Sequence, residues 1–132
     1  MIVLDTHIWV WWVTNSPKLT IPIQRAITKH QHSGLGLSVF SCWEVAKLVE
    51  KQRLEISQPV NDWLNTALKY PGIKLLDLTV PIAVESTKLE NFHSDPADQI
   101  IVATAKVHEC PLLTVDRNIV AHNQIQTIDV ES

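Results

Sequence analysis

The sequence predicts an α/β protein: a three-layer α/β/α sandwich around a central parallel sheet of about five strands. Three observations carry that expectation. Short apolar runs that read as strands alternate with longer stretches of helical periodicity, the order expected of right-handed crossovers onto a sheet covered on both faces. Only three glycines punctuate the chain, and no internal repeat, low-complexity tract or linker divides it. Finally, 132 residues with 45% hydrophobic and 19% charged content suit one domain, residues 1–132, whose core needs neither disulfide nor structural metal.

The elements follow in order. "IVL" is a short buried strand, and residues 6–14 read as a helix. A second helix spans about residues 21–30, with Pro22 tolerated in its first turn. "GLGLS" (34–38) is a second strand and "VFSCWEVAKLVEKQR" (39–53) a strongly helical stretch. "PVNDWLNTALKY" (59–70) opens on a proline and keeps helical spacing. "IKLLDL" (73–78) is a third strand, followed by a helix over 79–92 with Pro81 near its start. "DPADQIIVATAKVHE" (95–109) is a helix with explicit start signals. "PLLTVD" (111–116) is a fourth strand and "TIDV" (127–130) a fifth.

Composition excludes some function classes. With 11 Lys and Arg against 14 Asp and Glu, the net charge is −3, so no general basic surface grips a polyanion. Any such partner needs a local patch, a bridging cation or both. Two cysteines, Cys42 and Cys110, lie far apart among apolar neighbours, a pattern that argues for reduced, buried thiols of a cytoplasmic protein and leaves a single bridge as the alternative. No secretory signal is read at the start. The Trp-rich run 8–13 is far short of the roughly 20 residues a membrane span needs, so no membrane partner is expected.

The carboxylates are the informative residues. Asp5 stops the first strand, where a carboxylate costs desolvation unless it is hydrogen-bonded, solvated or bound to a cation. Asp116 ends "LLTV", and parallel topology brings the carboxyl ends of both strands to one sheet edge. In "SDPADQIIVATA", Asp95 is placed as N-cap, Pro96 as N1 and Asp98 as N3. Capping accounts for Asp95 in full. It accounts less well for Asp98, since Glu or Gln reaches back to the cap better from that position, and the apolar helix behind holds Asp98 rigidly. Glu44 sits on a helix whose Phe40, Trp43, Ala46 and Val49 form an apolar stripe, with Glu44, Lys47 and Lys51 on the polar side. An ordinary solvated face with an ion pair worth about 0.2–0.5 kcal/mol explains that pattern equally. Asp116 likewise suits a cap on the turn opening at Arg117.

Four stretches, "LDTHIWVWW", "LSVFSCWEVAKLVEKQRLEI", "DPADQIIVATA" and "LLTVDRNI", occur in an order that resembles the PIN-domain ribonucleases, in particular the VapC-like toxins of type II toxin–antitoxin pairs. The resemblance covers essentially the whole chain. It implies a parallel five-stranded sheet between helices and an acidic cluster holding Mg²⁺ or Mn²⁺. By matching motifs, Asp5, Glu44 and Asp98 correspond to three catalytic, metal-binding acids. Asp116 corresponds to a fourth position that varies in the family, with Thr114 as the alternative there. The implied activity is endonucleolytic hydrolysis of RNA by a metal-activated water, leaving 3′-hydroxyl and 5′-phosphate ends. The implied partners are an RNA substrate, a cognate antitoxin and a second copy of the chain. The residues suit that chemistry: hard cations of Mg²⁺ size prefer carboxylate oxygens, and a bound cation offsets the repulsion between an acidic cluster and RNA.

The remaining features are assigned around this site. Lys47, Lys51 and Arg117 lie near the proposed acids as guides for a phosphate backbone or as plain surface charges. Thr6 starts a helix or hydrogen-bonds the site. Trp9 and Trp12 are expected in the core, and Trp11 and Trp63 as exposed anchors for a partner. His30 and His32 lack the cysteines that would complete a zinc set, and the hard-cation site does not require His7. Two rival functions stand beside the nuclease. An aspartyl-phosphate phosphatase wants a second Asp two residues after the first, where this chain has His7. A catalytically inactive PIN-fold module binding RNA or protein would not need all four acids.

Overall fold

The structure, a computed structural model, describes residues 1–89, 95–122 and 124–130. In chain order the elements are β1 (Ile2–Leu4), α1 (Thr6–Val13), α2 (Ile21–His30), β2 (Leu35–Ser38), α3 (Val39–Glu50), α4 (Val60–Ala67), β3 (Ile73–Leu76), α5 (Val80–Ser86), α6 (Pro96–Val107), β4 (Leu112–Leu113) and α7 (Arg117–Val120). The strands form a parallel sheet in the order β3-β2-β1-β4.

Alternation along the strands divides the core into two layers. Ile2, Leu4, Leu35, Leu37 and Leu113 face a cluster built with Ile8 and Trp9 of α1, Ile23 and Ile27 of α2, Val45 of α3 and Trp63 of α4. Val3 and Leu112 point to the other face, against Ile101, Val102 and Ala105 of α6 and Ile119 of α7. Successive strand residues must point to opposite faces, so both faces are covered and the three-layer expectation holds. Gly36 keeps the second layer close: a Cβ there would stand 2.8 Å from Leu76 Cδ1 and 3.2 Å from Met1 Sδ. On that face α5 is tied to α6 by a Glu85–Lys106 ion pair at 3.0 Å.

Helices α3, α5, α6 and α7, like α1 and α2, start on a side-chain oxygen cap. Ser38 Oγ accepts from the Phe40 N–H, Thr79 Oγ1 from Ile82, an Asp95 carboxyl oxygen from Ala97, and an Asp116 carboxyl oxygen from Asn118 and Ile119. Such caps satisfy backbone donors that the first turn leaves open.

Several boundaries are shorter than the sequence suggests. Thr114 turns its hydroxyl toward β1 and the chain bends toward the Asp116 cap, so the fourth strand ends after Leu113. The expected fifth strand is reduced to one parallel bridge, Leu112 to Thr127; beyond it Ile128 and Val130 pack onto the first core cluster instead of continuing the ladder. The helix over 79–92 ends at Ser86, and residues 90–92 lie outside the described residues. No helix among the described residues is long and apolar enough to cross a membrane.

Candidate functional site: a carboxylate crevice at the β1/β4 edge

Strand order creates the site. From β1 the chain moves to β2 and then β3 with α1 to α4 over one face, then returns past β1 to β4 through α5 and α6 on the other. The direction of winding reverses between β1 and β4, and such a reversal leaves a crevice at the carboxyl ends of the two strands. Asp5 is the first residue beyond β1 and Thr114 the first beyond β4.

Asp5 is 6% exposed, yet both of its oxygens are held. Oδ1 accepts the Thr6 N–H at 2.8 Å, and Oδ2 accepts the Thr114 hydroxyl at 2.6 Å. The Thr114 oxygen in turn accepts the Asp116 N–H at 3.1 Å. Burial raises the Asp5 pKa above the ordinary carboxylate value, with the Thr114 and Thr6 hydrogen bonds pulling the other way. A strand therefore ends on a carboxylate here because two donors, one local and one from the far end of the chain, receive it.

Glu44 projects from the second turn of α3 and is half-buried. Its Oε1 is buried without a hydrogen-bond partner. Burial raises its pKa, the Asp5 charge adds to that, and the neighbouring Thr6 hydroxyl opposes it. Thr6 is fully buried and donates its hydroxyl to Ser41 Oγ at 2.9 Å, tying α1 to α3 one turn before Glu44. Asp98, third residue of α6, is held up to about 7 by burial and then by repulsion from Asp5, Asp95, Asp116 and Glu44. That repulsion places the other four carboxyls within electrostatic range of Asp98.

The residues chosen from sequence thus face the same edge of the sheet. Asp5, Glu44, Asp98 and Asp116 converge at one edge, and Thr114 joins them through Asp5. Asp116 keeps its capping role as well, and Asp95 is both N-cap of α6 and a contributor to the charge at Asp98. Among the described residues no three His, Cys, Asp or Glu side chains already stand close enough together to hold a metal ion. The donor set nevertheless suits a hard divalent cation: only oxygen ligands, mutually repelling, one of them a buried oxygen with no partner.

Other expectations are corrected. The inner face of α3 carries Ser41 and Val45, not the stripe of Phe40, Trp43, Ala46 and Val49; Trp43 is 51% exposed and stacks on Phe40 with ring centroids 5.0 Å apart. Lys47 pairs with Glu50 at 3.0 Å rather than with Glu44, while Lys51 and Arg117 are exposed. Trp63 is no partner anchor: it is buried against Trp9, edge to face at 5.5 Å. Trp12 meets Tyr70 at the core margin. Both cysteines are free and partly buried, and burial pushes the Cys42 thiol up, away from reactivity. His30 is spent on the Ala26 carbonyl at 2.9 Å. Sequence reasoning missed Ser41, whose only signal is its place three residues before Glu44 on the same helix face.

Comparison with known proteins agrees with this geometry. The PIN domain family model matches residues 2–123. Ribonuclease VapC22 of Mycobacterium tuberculosis is 30% identical over 131 residues, covering 98% of this chain and 97% of that protein. Among solved structures, VapBC2 of Rickettsia felis bound to a promoter DNA fragment aligns with TM-score 0.73 at 15% identity, over 97% of this chain and 98% of that one. DNA-bound VapBC of Salmonella typhimurium aligns with TM-score 0.73 at 18% identity, over 99% and 100%. At such identities the structural likeness speaks for the fold. With the family model spanning nearly the whole chain and a VapC protein aligned end to end, this chain belongs to the PIN domain family, among its VapC-like members.

Proposed function

We propose that the chain is the toxin of a toxin–antitoxin pair and a Mg²⁺- or Mn²⁺-dependent endoribonuclease whose centre is Asp5, Glu44, Asp98 and Asp116. The observation that carries this reading is the convergence of carboxyls that holds Asp98 up to about 7, an arrangement costly to the fold and suited to a cation. The likeness to a VapC ribonuclease supports the nuclease activity and the toxin–antitoxin neighbours support the antitoxin.

Asp5, Glu44 and Asp98 would hold the cation, with Asp116 at its edge. When bound, the cation supplies Lewis-acid activation of a water and neutralisation of phosphate charge. The protein supplies the rest. Thr114 and the Thr6 N–H fix the Asp5 carboxylate with both oxygens hydrogen-bonded, which favours the ionised form a ligand requires. The Thr6–Ser41 hydroxyl pair fixes α3 so that Glu44 faces the crevice. Asp98 releases its proton near neutrality, so the site is assembled most readily when a cation competes for it.

The direct test incubates purified protein with a mixed RNA pool plus Mg²⁺, Mn²⁺ or chelator. Cleavage with either cation and none with chelator is the expected result; absence of cleavage while the cation still raises the melting temperature by linkage would favour the inactive binding module.

The second copy of the chain is assigned to the outer face of α3. Val39 and Trp43 are exposed there at 36% and 51%, and Phe40 is stacked on Trp43; aromatic side chains are enriched at the cores of such interfaces. Light scattering should give about twice the 14.9 kDa chain mass, and Trp43→Glu should return the monomer with its melting curve little changed.

A further inference from the structure

Resting on the nuclease reading above, we propose that His7, Trp11 and Lys18 form the strip along which single-stranded RNA enters the carboxylate crevice, with Trp11 stacking a base and His7 and Lys18 taking flanking phosphates. The strip begins at the site. His7 is exposed on the first turn of α1, two residues past Asp5. One helical turn on, Trp11 lies beside it, ring centroids 6.3 Å apart and tilted by 53°. The Lys18 ammonium stands over the Trp11 ring, 5.9 Å from its centroid.

The chemistry of this series matches one occupant. The chain carries a net charge of −3, and its crevice is lined with acids, so a polyanion needs local positive charge beside the site. Lys47 is engaged by Glu50, whereas among the described residues no ion pair holds Lys18 and its contact is the Trp11 ring. An exposed cation–π contact is weak. A nucleobase can take its place on the ring, and the ammonium then moves to the adjoining phosphate. Stacking requires a base freed from its neighbours, which single-stranded RNA offers and a duplex does not. The hydrophobic side of Trp11 is anchored in the first core cluster, so the platform is rigid.

The test measures binding of a fluorescein-labelled single-stranded RNA of mixed sequence to the full chain carrying Asp98→Asn, with Mg²⁺ present, alongside cleavage by otherwise wild-type protein. Lys18→Ala is expected to weaken binding and to reduce the slope of log affinity against log salt by about 1. Trp11→Leu is expected to weaken it about tenfold with the slope unchanged, and Trp11→Phe to restore most of the loss. His7→Ala is expected to raise KM severalfold while kcat changes little. His7 and Lys18 are exposed, so their variants report even where Trp11→Leu unfolds. If the folded Lys18→Ala and His7→Ala proteins bind, cut and respond to salt as wild type does, the strip is wrong and the nuclease stands. If the unmodified chain neither binds nor cuts RNA, the nuclease reading itself falls.

Discussion

An Asp98→Asn protein is expected to lose RNA cleavage by more than about 100-fold, while unfolding at a higher temperature than wild type in metal-free buffer above neutral pH. Loss of supporting residues around metal sites already costs about 10–100-fold, and Asp98 is proposed as a ligand. The gain in stability follows from its environment. In the unfolded chain its pKa is the ordinary 3.8; in the folded protein burial and four neighbouring carboxyls hold it up to about 7. Between those values the native state binds the proton and the unfolded state does not, so stability is full below the lower value and falls as pH rises to the upper one. Asn carries no proton to lose. Asp98 is only half-buried, and with solvent screening allowed for, the difference should be about 1 kcal/mol, or roughly 3–6 °C. Melting curves with chelator near pH 5 and near pH 8 check the sign, since the two proteins should converge at the lower pH and separate at the higher. Mg²⁺ should then raise the wild-type melting temperature, by about 2.7 kcal/mol at 100 times its Kd, and leave Asp98→Asn nearly unmoved. Equal melting at both pH values would show that Asp98 does not feel the other acids.

Replacing Thr114 by Val should destabilise the protein by about 1–3 kcal/mol, the cost of leaving a buried acceptor without its donor. The hydroxyl it removes is the 2.6 Å partner of Asp5 Oδ2 and also receives the Asp116 N–H. Without it the Asp5 pKa rises further above its already raised position. The deficit should therefore be largest at high pH, where Asp5 must ionise, and shrink at low pH, where the acid is neutral in both proteins. Urea unfolding at two pH values reads this directly, and Thr114→Ser should recover most of the loss. A deficit independent of pH would reduce Thr114 to a packing residue.

The acids differ in how far their neighbourhoods can be read along the chain. Asp95, Pro96 and Asp98 announce their helix within four residues, and α6 begins as those residues dictate. Asp5 follows from parallel topology, because the carboxyl ends of β1 and β4 share one edge; Asp116 lies two residues past Thr114, the first residue beyond β4, and reaches that edge as the cap of α7. Glu44 was ambiguous for a specific reason. The sequence of α3 offers two faces, and the more apolar one, with Phe40 and Trp43, lies outward. Trp63 shows the converse, an apparent surface anchor that α4 turns into Trp9.

Strand residues, helix starts and the sheet edge where the carboxylates gather are properties of local spacing, capping chemistry and chain order, and they are legible in the sequence. Three matters required the folded chain. The partner of Asp5 is Thr114, separated from it by 109 positions; the buried side of α3 is the one with Ser41 and Val45, where Ser41 meets Thr6 of α1; and the fifth strand shrinks to one bridge, with Ile128 and Val130 packed onto the first core cluster. Periodicity shows that a helix has two faces, but burial is a property of what lies opposite, and only packing brings that neighbour into place.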